Sequence, residues 1–404
     1  MPTYTYRARD EYGKLVAGTM NAVSADELTV KLRKMGYMAT SVHAVRAGIK
    51  IHEITQSLNA IRQQDLTVFY FQLANLIEAG IPILPSLTLI EAQVENKKLS
   101  TIISDTRRSI EAGDSFSVSL ERHERVFGKL MVSMVKAGEQ SGKLDKVLRR
   151  YAAYAEAQEE LREKIKGALF YPAFLFIASV LVIVFIVTFL IPQFVDLFTK
   201  AGIRLPMTTR LLYALGLMIK GYWFALIISV MAVFFAVKKY LAAAMGKLQY
   251  DRLVLKLPLM GLLMRKVYVS RFSRTLATLL SSGVPILQSL AIAKEVIGNE
   301  VIAKVIANAY QSVEQGQKIS EPLKISKEFP LDAVQMIAVG EETGDLDGML
   351  NKVADFYDLS IGYAIKKLTV MIEPLFLIIM GGIVAFIMAS MVLPVFDMVK
   401  ILRH

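Results

Sequence analysis

Few residues in this chain are of the types, and at the spacings, that do covalent chemistry. The nearest thing to a phosphate loop is GEQSGKL, Gly138 to Leu144. Such a loop needs four residues between its glycines, then Lys and a Ser or Thr for magnesium. Here three residues separate Gly138 from Gly142, and Leu144 follows Lys143. A second copy, GEETGDL, puts Asp345 where the lysine would stand, and its charge would repel phosphate. ATP binding is therefore set aside. Two readings are left: a tight helix–turn–helix corner, or a contact surface using Glu139, Glu341 and Glu342. The histidines, His43, His52, His123 and His404, lack the i, i+4 spacing of a helical metal pair and any carboxylate cluster around them. With no cysteine, disulfides, thiolate metal sites and a cysteine nucleophile are excluded. No G-x-S-x-G elbow is present. The chain is not expected to be an enzyme, and no cofactor or metal is expected.

One further carboxylate stands out. Glu373 precedes Pro374 at the entry to an apolar segment. A carboxylate inside a membrane is a functional candidate by default. This one sits at the edge, six residues after Lys367, and reads either as an interfacial anchor or as a contact with another membrane helix. The same segment carries Gly381, Ala385 and Ala389, a small residue at every fourth position. Such a stripe lets a second helix approach closely.

What must position these residues is largely membrane. The chain has 404 residues, 54 % of them hydrophobic and 21 % charged, and its mean hydropathy is +0.44. Polar domains separated by a few spans are expected. The net charge of +11 suits a surface against an anionic leaflet. Lys and Arg are scattered among Asp and Glu without aromatic interleaving, so nucleic acid is not an expected partner. The start, MPTYTYRARDEYGKLVAG, lacks the basic and apolar regions of a cleavable signal, which places the N-terminal part in the cytoplasm.

Three segments are apolar enough to span. The first is Leu169 to Pro192 and the last Ile372 to Pro394. Each lies between two prolines 20 residues apart, Pro172 and Pro192 (192 − 172) and Pro374 and Pro394 (394 − 374). At about 1.5 Å per residue that is about 30 Å, the thickness of the hydrocarbon core. The middle span centres on Trp223 to Val237, with an uncertain start because LLYALGLMI upstream is also apolar. Lys and Arg are denser before the first span and after the second than in the intervening loop. The N-terminus is thus read as cytoplasmic and the last residues as external.

The chain repeats itself. Phe69, Gly80 and Pro82 align with Phe272, Gly283 and Pro285 at an offset of 203 (272 − 69). Further on, Phe127, Gly138, Glu139, Gly142, Pro172 and Pro192 align with Phe329, Gly340, Glu341, Gly344, Pro374 and Pro394 at 202 (329 − 127). A single-residue gap accounts for the change. The repeat covers a cytoplasmic helical domain and the span that follows it. Gly80 suits the left-handed residue that ends a helix, and Pro82 blocks its continuation. No breaker interrupts Leu144 to Lys166, so one long helix is expected to run towards the first span.

The expected fold is mainly α: a polytopic membrane protein with three transmembrane helices, two homologous cytoplasmic helical bundles and a small N-terminal α/β module. In that module TYTYRARD and MATSVHAV read as strands around an amphipathic helix, with Ser24 and Glu27 as a capping box. The expected order is the α/β module over 1–45, a linker over 46–63, the first bundle over 64–168 and span one over 169–192. An external loop follows over 193–219, then span two over 220–239, the second bundle over 240–371, span three over 372–394 and an external tail over 395–404.

The twin G-x-P-[IL] and G-E-x-[ST]-G-x-L motifs, each followed by a Pro-opened span, resemble the GspF/PilC family. These are inner-membrane platform proteins of type II secretion and type IV pilus systems, including MSHA-pilus members. The carriers are EAGIPIL, KAGEQSGKLDKVL, YPAFLF, SSGVPIL, VGEETGDLDGML and the segment from Ile372 to Val399. The resemblance covers nearly the whole chain. It implies six-helix cytoplasmic bundles, a non-enzymatic role, and a platform that couples a cytoplasmic hexameric ATPase to extraction and assembly of pilin or pseudopilin subunits. Implied partners are that ATPase, the pilin-like subunits and other inner-membrane assembly proteins; the basic charge and the small-residue stripe add membrane lipids and further copies of the chain as expected partners. Motif matching carries forward the Glu139 and Glu341 corners and Glu373, without fixing their roles. The alternatives are a transporter subunit, which ion or substrate flux would reveal, and a membrane scaffold unrelated to fibres.

Overall fold

The computed structural model describes residues 3–9, 15–21, 25–44, 60–200 and 205–402. The chain divides into an N-terminal unit and a much larger one that begins at Arg62. The N-terminal unit holds strands β1 (Thr3–Arg9), β2 (Leu15–Asn21) and β3 (Met38–Ala44) with helix α1 (Ala25–Lys34) between β2 and β3. β1 is central and antiparallel to both neighbours. Leu28 and Leu32, one helical turn apart on α1, are buried with Tyr6, Tyr37 and Ala39. β2 has no signal in sequence reasoning because LVAGTMN carries a glycine where a strand would place a large residue. Gly18 lies opposite Tyr6, and a Cβ there would come within 2.9 Å of the phenol oxygen, so the ring occupies that space. Ser24 lies outside the described residues, as do His52 and His404.

The larger unit contains two six-helix bundles built on one plan. The first comprises α2 (Gln63–Glu78), α3 (Ile83–Gln93), α4 (Lys97–Glu111), α5 (Phe116–Glu121), α6 (Glu124–Ser141) and the start of α7 (Leu144–Phe185). A π turn (Ile186–Leu190) and α8 (Ile191–Lys200) extend α7, and α9 (Met207–Ala242) and α10 (Ala244–Lys256) follow. The second bundle comprises α11 (Met260–Ser281), α12 (Ile286–Val296), α13 (Glu300–Glu314), α14 (Ser320–Ser326), α15 (Leu331–Thr343) and the start of α16 (Leu346–Leu402).

Aligned residues make equivalent contacts in the two bundles. Phe69 packs against Phe127 at a ring separation of 5.7 Å, and Phe272 against Phe329 at 5.3 Å. All four rings are buried. Each such pair contributes about 0.5–1.5 kcal/mol beyond its burial. Gly80 and Gly283 have φ +82 and +85, and Pro82 and Pro285 precede α3 and α12 as N-caps. The one-residue gap in the repeat lies between α5 and α6. There the first bundle breaks the helix at Gly128 (φ +80), and the second has Pro330 as the N-cap of α15.

Among the described residues, three helical stretches are long and apolar enough to cross a membrane: Leu144–Lys200, Met207–Ala242 and Leu346–Val392. The prolines do not bound them. Pro172 lies inside α7, and Pro374 and Pro394 lie inside α16. An isolated helix in water breaks at such a residue, whereas in a membrane continuing the helix keeps every other backbone group paired. Pro192 stands in the first turn of α8, where its missing N–H is least needed, and the π turn precedes it with Ile191 N–H bonded to Ile186 O.

Two further boundaries differ from the expectation. The stretch 193–219, expected as a loop, is helical up to Lys200 and again from Met207. The helix that carries span two therefore starts at Met207, bends at Tyr222 (φ −118, ψ 19), and buries Thr209, Leu212 and Gly216. The expected tail is helical to Leu402. The spans meet where Val187, Ile191, Val195, Leu212 and Ile387 form one buried cluster.

Candidate functional site

The repeated Gly-Glu corners are the most distinctive local structures of the larger unit. Gly142 ends α6 with φ +66 and Gly344 ends α15 with φ +75, both left-handed C-caps. In the first corner the backbone N–H groups are consumed. Gly142 N–H donates to Glu139 O at 3.3 Å and Lys143 N–H to Gly138 O at 2.9 Å. A phosphate loop needs such groups free, so the tight-corner reading holds for physical reasons. Gly138 and Gly340 are buried where the outgoing helix crosses. A Cβ on Gly138 would lie 3.1 Å from Val147 Cβ, and one on Gly340 2.9 Å from Met349 Cβ.

The glutamates reach sideways. The Glu139 carboxylate accepts from Phe116 N–H at 2.7 Å, Ser117 N–H at 3.2 Å and the Ser117 hydroxyl at 2.5 Å. The Glu341 carboxylate accepts from Ile319 N–H at 2.5 Å and Ser320 N–H at 3.1 Å. Each therefore satisfies free donors at the start of a short helix, α5 or α14, and complements its positive end. A corner thus ties three helices together: the incoming one, the outgoing one, and the short helix before them. This engagement explains the motif as a cap, with Glu139 and Glu341 half-buried against the short helix. Glu342 alone of the three projects outward. It is exposed and accepts from Lys318 Nζ at 2.6 Å, and that bond holds its carboxyl below the usual range.

The two bundles also meet each other. Tyr154 and Thr275 share a buried hydroxyl–hydroxyl bond of 3.2 Å between α7 and α11. Burial pushes the Tyr154 phenol up, with the Thr275 bond opposing. Lys129 and Glu295 pair at 2.7 Å on the exposed side. Nearer the membrane, Leu161, Leu263, Val267 and Ile361 form a stem shared by α7, α11 and α16. Along that stem Arg274 Nη2 donates to Asp355 Oδ1 at 2.6 Å and Asp358 Oδ2 at 2.8 Å, and Ser270 Oγ also donates to Asp358. Sequence reasoning missed this network. The spacing of Asp355 and Asp358 on one helix face was its only trace, and their partner Arg274 is 81 and 84 residues away.

In the membrane part, Glu373 is exposed on α16. Gly381, Ala385 and Ala389 are exposed too, and the inward face of α16 is carried by Ile383, Ile387 and Ser390. The small-residue stripe is therefore not what packs this chain's own spans. Gly216 is: a Cβ there would collide with Val187 O of the π turn. Thr209 Oγ1 donates to Ser390 O at 2.5 Å and links α9 to α16. No group of three His, Asp or Glu able to hold a metal occurs among the described residues.

Two bundles of equivalent construction, each continuing as one helix into a membrane span, match a known pattern. A family model described as type II secretion system (T2SS), protein F, matches residues 69–192 and again 272–394. Its companion, the N-terminal domain of type II secretion system protein F, matches residues 1–43. This chain belongs to that family. Its relatives include type IV pilus assembly proteins and type II secretion system F proteins. The type IV pilus assembly protein PilC of Thermus thermophilus is 39 % identical over 403 residues, covering 99 % of this chain and 98 % of the relative. PilC of Myxococcus xanthus is 33 % identical over 396 residues, covering 98 % and 94 %. The type II secretion system protein F of Xanthomonas campestris pv. campestris is 31 % identical over 402 residues, covering 98 % and 99 %. The two matches to the protein F model begin at the aligned Phe69 and Phe272 and end at Pro192 and Pro394, as the internal repeat does. Family membership and the three apolar helices make this an inner-membrane protein, with type IV pilus assembly and type II secretion system F proteins as its homologues.

Proposed function

We propose that this chain is the non-catalytic platform of a type IV pilus or type II secretion machine. It couples a cytoplasmic hexameric ATPase to the extraction and assembly of pilin or pseudopilin subunits. The supporting observation is helical continuity. α7 starts in the first bundle at Leu144 and runs unbroken into the membrane, and α16 does the same from Leu346. A displacement of either bundle is carried into a span without a flexible joint. The density of Lys and Arg before span one and after span two favours both bundles in the cytoplasm and the C-terminal end outside. Pilin-like subunits would meet the exposed faces of the spans, and the ATPase the bundle surfaces.

A four-residue Gly-Gly-Ser-Gly insertion after Lys166 tests the coupling. It falls in a stretch of α7 where Lys166 and Gly167 are exposed, between the bundle and the span. Fibre assembly or secretion in the native host should be lost, while the protein stays at its normal level in the membrane and its bundles keep crosslinking to the ATPase. Normal assembly with the insertion in place would overturn mechanical transmission through α7.

A further inference from the structure

The groove between α11 and α16, just before α16 becomes membrane-spanning, is unexplained by the platform reading. It is floored by Leu259, Leu263, Leu368 and Met371, and Lys266 and Lys367 also line it. Lys266 Nζ donates to Ser360 Oγ at 2.7 Å, which uses one of the three ammonium donors. Leu259 reaches the groove from a conformation no ordinary residue prefers, φ 63 and ψ −54. Strain of this kind costs about 1–3 kcal/mol and is kept where neighbours or a ligand over-determine it.

The surroundings say what covers the groove. The floor residues Leu368 and Met371 belong to the last turns of α16 before the Ile372 to Pro394 span, so the groove sits at head-group depth on the bundle side of the membrane. From the end of α10 to the start of α11, Leu253, Leu257, Leu259 and Leu262 are 45–62 % exposed, and Leu259 and Leu262 line the groove. α10 itself begins two residues after the end of the apolar helix α9. Arg252 and Lys256 punctuate the same stretch, and Lys247 and Arg265 flank it in ion pairs with Glu300 and Glu328. Exposed leucines among cations, continuous with a span, fit the boundary between acyl chains and anionic head groups.

We infer that this groove is a binding site for one anionic phospholipid. The phosphate pairs with Lys266 and Lys367, and an acyl chain lies along Leu259, Leu263, Leu368 and Met371. The site does not depend on the ATPase coupling proposed above. It would seat α11 and α16, two of the three helices that meet at the shared stem, against the bilayer surface.

Native mass spectrometry of the detergent-purified full chain tests this, titrated in turn with phosphatidylglycerol, phosphatidylcholine and inorganic phosphate. Phosphatidylglycerol should bind about thirtyfold more tightly than phosphatidylcholine, from two lysines at their usual worth near a lipid head group. Inorganic phosphate should not displace it. The double variant Lys266→Gln with Lys367→Gln should bring the preference to within about twofold with an unchanged melting temperature. If that variant melts early, Lys367→Gln alone should lose about fivefold, because this side chain is exposed and carries no packing. A photocrosslinker at the exposed Leu262 should capture lipid in native membranes. Equal binding of the two lipids, displacement by phosphate, a preference that survives the lysine changes, or capture of a membrane polypeptide at Leu262 would each overturn the site.

Discussion

Replacing Glu139 with Ala should loosen one short helix and little else. The carboxylate accepts three hydrogen bonds from Phe116 and Ser117 at the start of α5. Bonds to a charged acceptor are worth about 1.5–3 kcal/mol each, but Glu139 is half-buried, so water replaces part of what is lost. Ser115 still caps the helix through its bond to Val118 N–H at 3.3 Å. The net loss should therefore lie near the upper end of cap removals, about 2 kcal/mol. Hydrogen exchange of the full chain in detergent reads it directly. The amides of Phe116 and Ser117 should exchange about thirtyfold faster, with α14 of the second bundle unchanged. Glu139→Gln keeps one strong acceptor and should give about fivefold. Glu341→Ala should loosen the start of α14 by less, since it accepts from two backbone donors rather than three groups. Unchanged protection over 116–121 in Glu139→Ala, together with lost binding to the ATPase, would refute the capping role and return Glu139 to a contact surface.

The tight glycines should be ranked by the space they lack. Gly340→Ala should lower thermal stability by about 1–3 kcal/mol and Gly138→Ala by somewhat less, whereas Gly381→Ala, with nothing within 4 Å of its added Cβ, should leave the melting temperature unchanged. Alkaline unfolding should report the first bundle's aromatic core. Tyr70 and Tyr151, edge to face at 4.7 Å, are both held well above the ordinary tyrosine range by burial. They stay protonated in the folded protein above about pH 10, where the unfolded chain ionises, so their contribution is intact below about pH 10 and each removes about 1.4 kcal/mol per pH unit above it. Tyr70→Phe should flatten that slope in denaturant titrations between about pH 10 and 11.5; a slope equal to that of the unsubstituted chain would mean the ring is not the titrating group.

Much of the molecule is written locally. The spans, the long helix before the first of them, the left-handed glycine closures and the twofold repeat follow from hydropathy, from φ restrictions and from one residue type recurring at one offset. These are properties of short windows, and the chain's own covalent geometry enforces them. The repeat aligned Phe69 with Phe272 and Phe127 with Phe329, but only the fold brings the two rings of each copy into contact. What the glutamates do was not legible. Glu139 acts on Phe116 and Ser117, more than twenty positions back, and only the fold of α4 to α6 brings that helix end to the carboxylate. The prolines misled for a related reason: a proline breaks a helix when water can take the freed carbonyl, and in a bilayer nothing can. Likewise, small residues at every fourth position mark a face able to pack closely, but whether a neighbour is there depends on the other spans, and this chain places Gly216 against its π turn and leaves Gly381, Ala385 and Ala389 outward. Short-range chemistry determined which elements exist; the meeting of elements distant in the chain decided which side chains became structural, which stayed exposed, and where a groove opened at the membrane surface.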